Sequence, residues 1–182
     1  MILHTTVMVS PIGRLTLVSR EDVLTAVAFE DYEVETRRWL ERRFGQFRME
    51  DHRDPGGAAT ALHAYFVGDL TALDRVAVDA GGTPFQRAVW SELRRIPSGA
   101  TISYAVLAAR IGKPSAVRAV GTANGSNPIP VILPCHRVVA ADGTLCGYGG
   151  GLDRKRWLLA HEKALPRSRF KASAPSRPLP LL

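Results

Sequence analysis

The stretch NPIPVILPCHRVV, residues 127–139, is an apolar run interrupted by Cys135, His136 and Arg137 directly behind a proline. A run of this length and apolarity predicts a buried strand, whose central positions ordinarily hold core side chains. Here the centre holds a thiol, an imidazole and a guanidinium instead. Three interpretations of Cys135 follow: a nucleophile, a metal ligand or a buried structural thiol.

The rest of the sequence gives little support to a metal site or to a cysteine hydrolase. It has no CxxC or HExxH motif, and the remaining histidines are scattered at His4, His52, His63 and His161. A hydrolase would need a histidine distant in sequence and an oxyanion hole; His161 could be that histidine, but no other feature fits. Since a lone Cys-His pair is commonly structural, the residues alone leave the alternatives open.

The overall composition is typical of a folded protein with one large or two small domains. Its 182 residues are 46% apolar and 23% charged, and no apolar run is long enough to predict a transmembrane helix. The N-terminus lacks the pattern of a secretory signal. We therefore expect Cys135 and Cys146 to be free thiols in a reducing compartment, which predicts a cytoplasmic protein.

The charge is divided unevenly along the chain. Residues 1–79 carry 9 Lys/Arg and 13 Asp/Glu, whereas residues 80–165 carry 11 and 4. Residues 166–182 are basic and rich in proline, which predicts a disordered tail. A basic C-terminal half favours a surface that meets a polyanion, although a basic surface without such a partner fits equally well.

The N-terminal part of the chain predicts a small α/β unit. Alternating apolar residues over residues 1–30 indicate a hairpin or meander of short strands. Residues 33–47 and part of residues 58–70 have the pattern of helices. Residues 72–85 then predict a strand followed by a Gly-Gly hinge, which places a domain boundary near residue 80.

From there the pattern changes to short helices. Thr83-Pro84 starts one helix, Ser103 caps a second, and SAVRAVGTANGS, residues 115–126, predicts a third. Two short helices joined by a glycine turn are a helix-turn-helix pattern, which is a weak signal by itself. After the cysteine, residues 147–151 form a glycine-rich loop, and Asp153 is the predicted cap of a last helix.

The third of these helices is composed mostly of small residues, with Arg118 as the one long side chain among them. Val117, Val120 and Gly121 share a face that can pack inward. Such a helix can bring its backbone very close to another surface while the arginine projects. Close helix–helix packing with a solvated arginine is an equally good interpretation.

A longer set of matches favours one function. NPIPVILPCHRVV, with ISY at residues 102–104 and GYGGG…KRWLLAHE within residues 147–162, closely resembles the O6-alkylguanine-DNA alkyltransferases, also called methylated-DNA–protein cysteine methyltransferases. The resemblance covers residues 83–162 almost without a gap and is loose before them, where SPIGRLTL carries it. It implies an α+β fold. A ribonuclease-H-like α/β domain (1–80) precedes a mainly helical winged helix-turn-helix domain (81–165), and the tail (166–182) follows.

The resemblance makes Cys135 the acceptor of the alkyl group. Its thiolate takes the group from O6 of guanine in one irreversible displacement, without cofactor or metal; whether O4 of thymine also reacts is left open. His136 contacts the cysteine through a water and passes a proton toward Glu162, and the adjacent imidazole is expected to lower the thiol pKa. Tyr104 assists base extrusion and donates to the base. Asn127 ties the helix-turn-helix to the active-site segment.

The resemblance also implies DNA contacts and a base pocket. Arg118 is the finger that enters the minor groove when the damaged base leaves the stack. The other DNA contacts are Ser103, Ala119, Thr122 and Arg137, and the pocket residues are Tyr148, Gly149, Gly150, Val138 and Lys155. The implied protein is a monomer that binds duplex DNA containing O6-alkylguanine and no membrane, and in a bacterium it associates with the nucleoid.

Three features depart from the family pattern. A serine often stands where this chain has Gly149, which removes a hydroxyl from the neighbourhood of O6. Cys146 has no assigned role beyond a small apolar filler or a second reactive thiol. The zinc ligands of some relatives are not recognisable in residues 1–80.

Two other functions are weighed against alkyl transfer. A non-catalytic sensor of alkylated guanine would lack the acceptor cysteine, which Cys135 supplies here. A transcriptional regulator would read the major groove with several side chains of its recognition helix. This helix has Arg118 among small residues, which disfavours that function.

Overall fold

The N-terminal half of the protein is built on a four-stranded sheet with the strand order β3-β2-β1-β4. The computed structural model describes residues 1–164, so the predicted tail at 166–182 lies outside the described residues. The strands are β1 (Ile2–Ser10), β2 (Gly13–Arg20), β3 (Val23–Phe29) and β4 (Arg48–Asp51). Strands β1 to β3 form an antiparallel meander, in which Thr6 pairs with Leu17. The predicted meander is confirmed.

Two details of this half differ from the sequence prediction. Strand β4 was not predicted, because four residues are too few to show an alternating pattern; it pairs in parallel with Ile2–Thr5 at the start of the chain. The strand predicted within residues 72–85 is wrong. That segment contains a 3-10 turn at Ala72–Arg75 and a single bridge between Leu24 and Val78.

Helices α1 (Glu33–Phe44) and α2 (Ala58–Phe66) lie where helices were predicted. Helix α1 ends at Gly45, whose positive φ of 68° stops the helix. It buries Leu40 in a small core beside the sheet. Helix α2 directs Leu62 and Tyr65 into the larger core, and both side chains are fully buried.

The larger core is continuous across the two halves of the chain. It joins Leu17 of the sheet and Leu62 of α2 to Val89 and Ile132 of the C-terminal half. A backbone hydrogen bond of 2.9 Å from the amide of Val27 to the carbonyl of Pro128 also connects them. Strand β3 therefore lies directly against the segment that leads to Cys135.

The C-terminal half is mainly helical, as predicted. Its elements are α3 (Pro84–Leu93), β5 (Ile102–Ser103), α4 (Tyr104–Arg110), α5 (Val117–Gly125), β6 (Val138–Val139) and α6 (Leu152–His161). Thr83 and Gln86 form a capping box at the start of α3, and Ser103 caps α4. Both predicted caps are confirmed.

Residues 131–139 are all buried, but they do not form the predicted continuous strand. Cys135–Arg137 is one turn of 3-10 helix, and only Val138–Val139 pair with β5. The predicted cap of α6 is also wrong. That helix begins at Leu152 behind Gly151, and the exposed carboxylate of Asp153 pairs with Arg156 instead.

Across residues 1–164, no helix is both long enough and apolar enough to cross a membrane.

Candidate active site

Cys135 begins the 3-10 turn and is 4% exposed. Asn127 holds the segment in front of it: its Nδ2 donates to the carbonyl of Leu133 at 2.8 Å, and its Oδ1 accepts from the amide of Ile129 at 3.0 Å. Asn124 of α5 donates to the carbonyl of Cys135 at 3.4 Å. The two asparagines thus connect the end of α5 to the backbone that carries the thiol.

His136 and Glu162 form a buried pair behind the cysteine. Nε2 of the imidazole lies 3.0 Å from Oε1 of Glu162, and both side chains are inaccessible to solvent. An ionised carboxylate can only accept, so Nε2 carries the proton and Nδ1 carries the lone pair of the neutral ring. Within residues 1–164 this Nδ1 has no hydrogen-bond partner. It is therefore available to take a proton.

Arg137 lies on the inner side of the turn. It donates from Nε to Oε2 of Glu162 at 2.9 Å and from Nη2 to Oε1 at 2.8 Å. Its other hydrogen bonds go to the carbonyl of Ile96 and to Oγ of Ser98. The prediction that Arg137 contacts DNA does not fit this position, because the guanidinium is buried and forms an ion pair with Glu162.

Tyr65 is a member of this network that was not predicted from the sequence. Its hydroxyl donates to Oε1 of Glu162 at 2.7 Å across 97 residues of sequence. The only sequence signal was a tyrosine at a core-facing position of α2, and such a residue is usually taken as packing. Its partner, Glu162, is identified only by the tertiary structure, because the two residues are far apart in the sequence.

Burial and hydrogen bonding determine the protonation states of this site. Burial acts to raise the pKa of Glu162, but the hydrogen bonds from His136 and Arg137 hold it well below its usual range. Burial lowers the pKa of His136. The resting protein therefore has an ionised carboxylate beside a neutral imidazole.

The thiol itself does not have the lowered pKa that was predicted. Burial raises the pKa of Cys135 to about 11, and the hydrogen bond from Asn127 and the charge of Lys155 oppose this only partly. The imidazole of His136 is neutral and bound to Glu162, so it supplies no positive charge to the sulfur. Cys135 is thus a protonated thiol in the protein without DNA.

A cavity of about 290 Å³ opens above Cys135, close to the lower end of the ~300–1,000 Å³ range of small-molecule pockets. Its lining includes Tyr148, Gly149 and Gly150 of the glycine loop, and Phe29 and Trp39 of the N-terminal half. The rings of Tyr148 and Phe29 meet edge to face at 6.3 Å. The aromatic side chains in this lining suit a planar base with a small substituent, and Glu35, Thr36 and Arg42 add polar groups to it.

Gly150 has no room for a side chain. A Cβ atom at this position would lie 2.5 Å from Cε2 of Phe29 and 2.7 Å from Cε1 of Tyr148. At Gly149 the nearest atom would be the carbonyl oxygen of Gly125 at 3.4 Å, an ordinary contact. Gly150 therefore allows the glycine loop, residues 147–151, to pack directly against the ring of Phe29.

Two residues predicted for the pocket, Val138 and Lys155, lie behind it and do not line the cavity. The ammonium of Lys155 is buried and donates to the carbonyls of Val138 at 2.7 Å and Cys146 at 2.8 Å. Burial lowers the pKa of Lys155. Its role in this geometry is to attach the start of the glycine loop to β6.

Tyr104 approaches the same loop from α4. Its hydroxyl lies 3.5 Å from the carbonyl of Cys146 and 3.4 Å from that of Gly147, at the limit for hydrogen bonds. Burial and the neighbouring Cys146 raise the pKa of Tyr104 to about 12, so the phenol remains a donor. It is close to the loop, but it is not among the residues that line the cavity.

The predicted DNA-contacting residues of α5 share an exposed face. Arg118, Ala119 and Thr122 are exposed and line a shallow surface depression, whereas Val120 of the same helix is fully buried. Ser103 lies elsewhere, at the start of α4, where its Oγ accepts from the amide of Val106 at 3.2 Å. The end of α5 borders the cavity above Cys135.

Within the described residues, no group of three or more His, Cys, Asp or Glu side chains is arranged to hold a metal ion.

Two family profiles together match nearly all of the described chain. Residues 3–80 match the ribonuclease-like domain of 6-O-methylguanine DNA methyltransferase, and residues 84–164 match its DNA binding domain. A methylated-DNA–protein-cysteine methyltransferase of Shigella flexneri is 45% identical over 159 residues, covering 84% of this chain and 91% of the relative. One of Mycolicibacterium paratuberculosis is 49% identical over 156 residues, covering 85% and 88%.

Solved structures match over the same extent. The crystal structure of Mycobacterium tuberculosis OGT in complex with DNA has a TM-score of 0.75 and 44% identity, covering 90% of this chain and 94% of that chain. That of Mycobacterium tuberculosis O6-methylguanine methyltransferase has a TM-score of 0.76 and 44% identity, covering 91% and 96%. The predicted α+β fold, with a ribonuclease-like part followed by a helical DNA-binding part, is confirmed. The chain belongs to the 6-O-methylguanine DNA methyltransferase family, the methylated-DNA–protein-cysteine methyltransferases.

Proposed function

We propose that this protein repairs duplex DNA by moving the alkyl group of O6-alkylguanine onto Cys135. The observation that carries this proposal is the position of one thiol beneath an aromatic cavity, with a buried imidazole–carboxylate pair behind it. The relatives named as methylated-DNA–protein-cysteine methyltransferases and the relative solved with DNA support the same reaction.

The transfer is a single displacement at the alkyl carbon. The bond from this carbon to O6 breaks as its bond to Sγ of Cys135 forms, which leaves a thioether and an unmodified guanine. The thiol proton goes to Nδ1 of His136, whose imidazolium is stabilised by Glu162, and the guanine regains one proton, for which Tyr104 is the proposed donor. Because the thiol begins protonated, this proton transfer accompanies the displacement. The phenolate of Tyr104 then takes a proton from solvent and His136 releases one, so that the net transfer of the proton is from the thiol to the guanine. The thioether is stable, so each molecule reacts once.

The base must leave the helix to reach a buried sulfur, at a cost of a few kcal/mol. Arg118 projects from a face of α5 whose neighbours, Ala119 and Thr122, are small enough to let the helix enter a narrow groove. We assign Arg118 to the gap left by the extruded base. Ser103 and the exposed face of α5 are assigned to the DNA backbone.

Both halves of the chain contribute to the proposed site. The alkyl-transfer part extends over residues 81–165 and the N-terminal part over residues 1–80, yet both contribute to the cavity and to the carboxylate network. One chain supplies every residue of the site, which favours a monomer. The two free thiols favour a reducing cytoplasm, and in a bacterium an association with the nucleoid.

Intact-protein mass spectrometry tests the function directly. The protein is incubated with a duplex containing O6-methylguanine and then mapped by peptide. A gain of one methylene mass on Cys135, lost in Cys135→Ser and retained in Cys146→Ser, is the expected result. Tight binding to the lesion without any mass gain would support a non-catalytic sensor. A methyl group on Cys146 would move the acceptor assignment away from Cys135.

A further inference from the structure

Three hydrogen bonds converge on a single carboxylate oxygen, Oε1 of Glu162. The donors are the hydroxyl of Tyr65 at 2.7 Å, Nη2 of Arg137 at 2.8 Å and Nε2 of His136 at 3.0 Å. Two of these donors come from the turn that carries Cys135. The third belongs to α2 in the N-terminal half of the chain, which contributes no other side chain to this hydrogen-bond network among the described contacts.

We propose that Tyr65 is a positioning residue for alkyl transfer: it holds Oε1 of Glu162 in place and shares its negative charge, which keeps His136 neutral until the thiol proton arrives. The inference rests on the proposed function for the alkyl-transfer step. It assigns to the N-terminal half a part in the chemistry, through a contact that crosses the two halves of the protein.

The phenol of Tyr65 is held rigidly enough for this role. The residue is fully buried, and its ring meets Phe66 at 5.3 Å and His161 at 5.0 Å, both edge to face. The backbone carbonyl of Tyr65 lies 2.7 Å from Nε2 of His161. A residue needed only to fill this space could be a phenylalanine, since the hydroxyl contacts nothing in the interface except Glu162 among the described hydrogen bonds.

The hydroxyl is a permanent donor. Burial and the negative charge of Glu162 raise the pKa of Tyr65 far above its ordinary value, so the phenol does not ionise at any pH that the folded protein would meet. A permanent third donor lowers the basicity of Oε1. The proton taken from Cys135 then rests on His136 and does not pass fully to the carboxylate.

The charged groups around His136 define what removal of the hydroxyl should do. Glu162 stabilises the imidazolium, whereas burial and the positive charges of Arg137 and Lys155 oppose it. Three further titratable side chains lie close to this network: Tyr65 on Glu162, His161 on the ring of Tyr65, and Tyr148 of the glycine loop. Without the phenolic hydroxyl, more of the charge of Glu162 acts on the ring, and the pKa of His136 rises. A protonated His136 cannot accept the thiol proton.

The test compares wild type with Tyr65→Phe and Phe66→Leu. The imidazole of His136, assigned by comparison with His136→Gln, is titrated by NMR, and single-turnover methyl transfer is measured from the midpoint pH of that titration up to pH 8. We expect Tyr65→Phe to raise the pKa of His136 by roughly one pH unit. Transfer should then slow several-fold at the midpoint pH of the wild-type His136 titration and much less at pH 8. Phe66→Leu loosens the same aromatic interface without touching Glu162, so it should leave the titration unchanged.

The two readouts separate the possible failures. A His136 titration that is the same in Tyr65→Phe and wild type, or a loss of rate that is equal at the wild-type His136 midpoint and at pH 8, would overturn the inference and leave Tyr65 as packing. Absence of methyl transfer in wild type would refute the proposed function instead. The NMR titration needs no substrate, so in that case it would still decide whether Tyr65 controls His136.

Discussion

Arg154 of α6 and Asp31, which follows β3, form a two-pronged ion pair in which each of two guanidinium nitrogens lies 2.8 Å from one carboxylate oxygen. The same guanidinium donates to the carbonyls of Ile12 at 2.8 Å and Gly150 at 3.0 Å, and it lies 4.6 Å from the ring centre of Phe29. One side chain therefore holds the sheet, the glycine loop and the helix that leads to Glu162 in a single arrangement.

Arg154→Ala should destabilise the protein by about 1–3 kcal/mol and slow methyl transfer. The reason is that the substitution removes four hydrogen bonds of the guanidinium, two to the carboxylate of Asp31 and two to the carbonyls of Ile12 and Gly150. Asp31→Asn should cost less, because the carboxylate of Asp31 is 53% exposed and solvent screens its charge. Urea unfolding and single-turnover transfer check both variants. Arg95→Ala, which removes an arginine that is 76% exposed, is the control and should change neither. Equal effects of Arg154→Ala and Arg95→Ala would contradict this account.

Glu162→Gln should lower stability most at neutral pH. The folded pKa of Glu162 is below its ordinary value of 4.5, so the ionised carboxylate stabilises the fold above about pH 4.5, and this contribution is lost as the pH falls further. At pH 7 the variant leaves the charge of Arg137 buried without its partner, at a cost of about 3–5 kcal/mol. The free energy of unfolding, measured from pH 3 to pH 7, should show a difference between the two proteins that narrows on the acid side. A difference independent of pH would mean that the carboxylate is not ionised in the fold.

Gly149→Ser and Gly150→Ala form a matched pair in adjacent positions of the glycine loop. The serine has an ordinary contact with Gly125, so its effect on stability should be within about 0.5 kcal/mol, and methyl transfer should persist. The alanine overlaps Phe29 and Tyr148, and it should destabilise the protein by about 1–3 kcal/mol. Transfer of a group larger than methyl should fall further than methyl transfer, because the displaced rings narrow the cavity. Thermal unfolding measures the stability of both variants, and single-turnover assays with O6-methylguanine and with a bulkier O6-alkylguanine measure transfer. Equal stability and equal transfer in the two variants would show that the loop has another conformation.

Arg118→Ala should slow transfer from duplex DNA on the order of tenfold. Extrusion of the base costs a few kcal/mol, and the variant lacks the side chain that fills the gap left by the base. Reaction with a free O6-alkylguanine base needs no extrusion and should be unchanged. Arg38→Ala, which removes one exposed positive charge from α1, controls for the loss of general attraction to DNA. Equal slowing on the duplex and on the free base would place Arg118 in the chemical step and not at the gap.

Short-range features of this protein could be predicted from its sequence because they depend on neighbouring residues. The capping box of Thr83 and Gln86, the cap at Ser103 and the first three strands are all decided by residues within a few positions of one another. The adjacent thiol and imidazole of Cys135 and His136 are equally local. Where local patterns were too short or ambiguous, as at β4 and at Asp153, the prediction failed.

The partners of buried charged groups were decided only by the tertiary structure. Arginine is a residue type that commonly contacts DNA, yet Arg137 points into the protein. Its partner there is Glu162, which lies 25 residues later in the chain, directly after α6. Tyr65 has the pattern of a packing residue, yet the same carboxylate makes it a hydrogen-bond donor. The thiol pKa likewise depends on burial by distant elements, which raised it where proximity to His136 predicted a decrease. The sequence alone determined which chemical groups are present and which local elements form. Packing determined which groups face each other, because hydrogen bonds and desolvation depend on distance in space and not on distance along the chain.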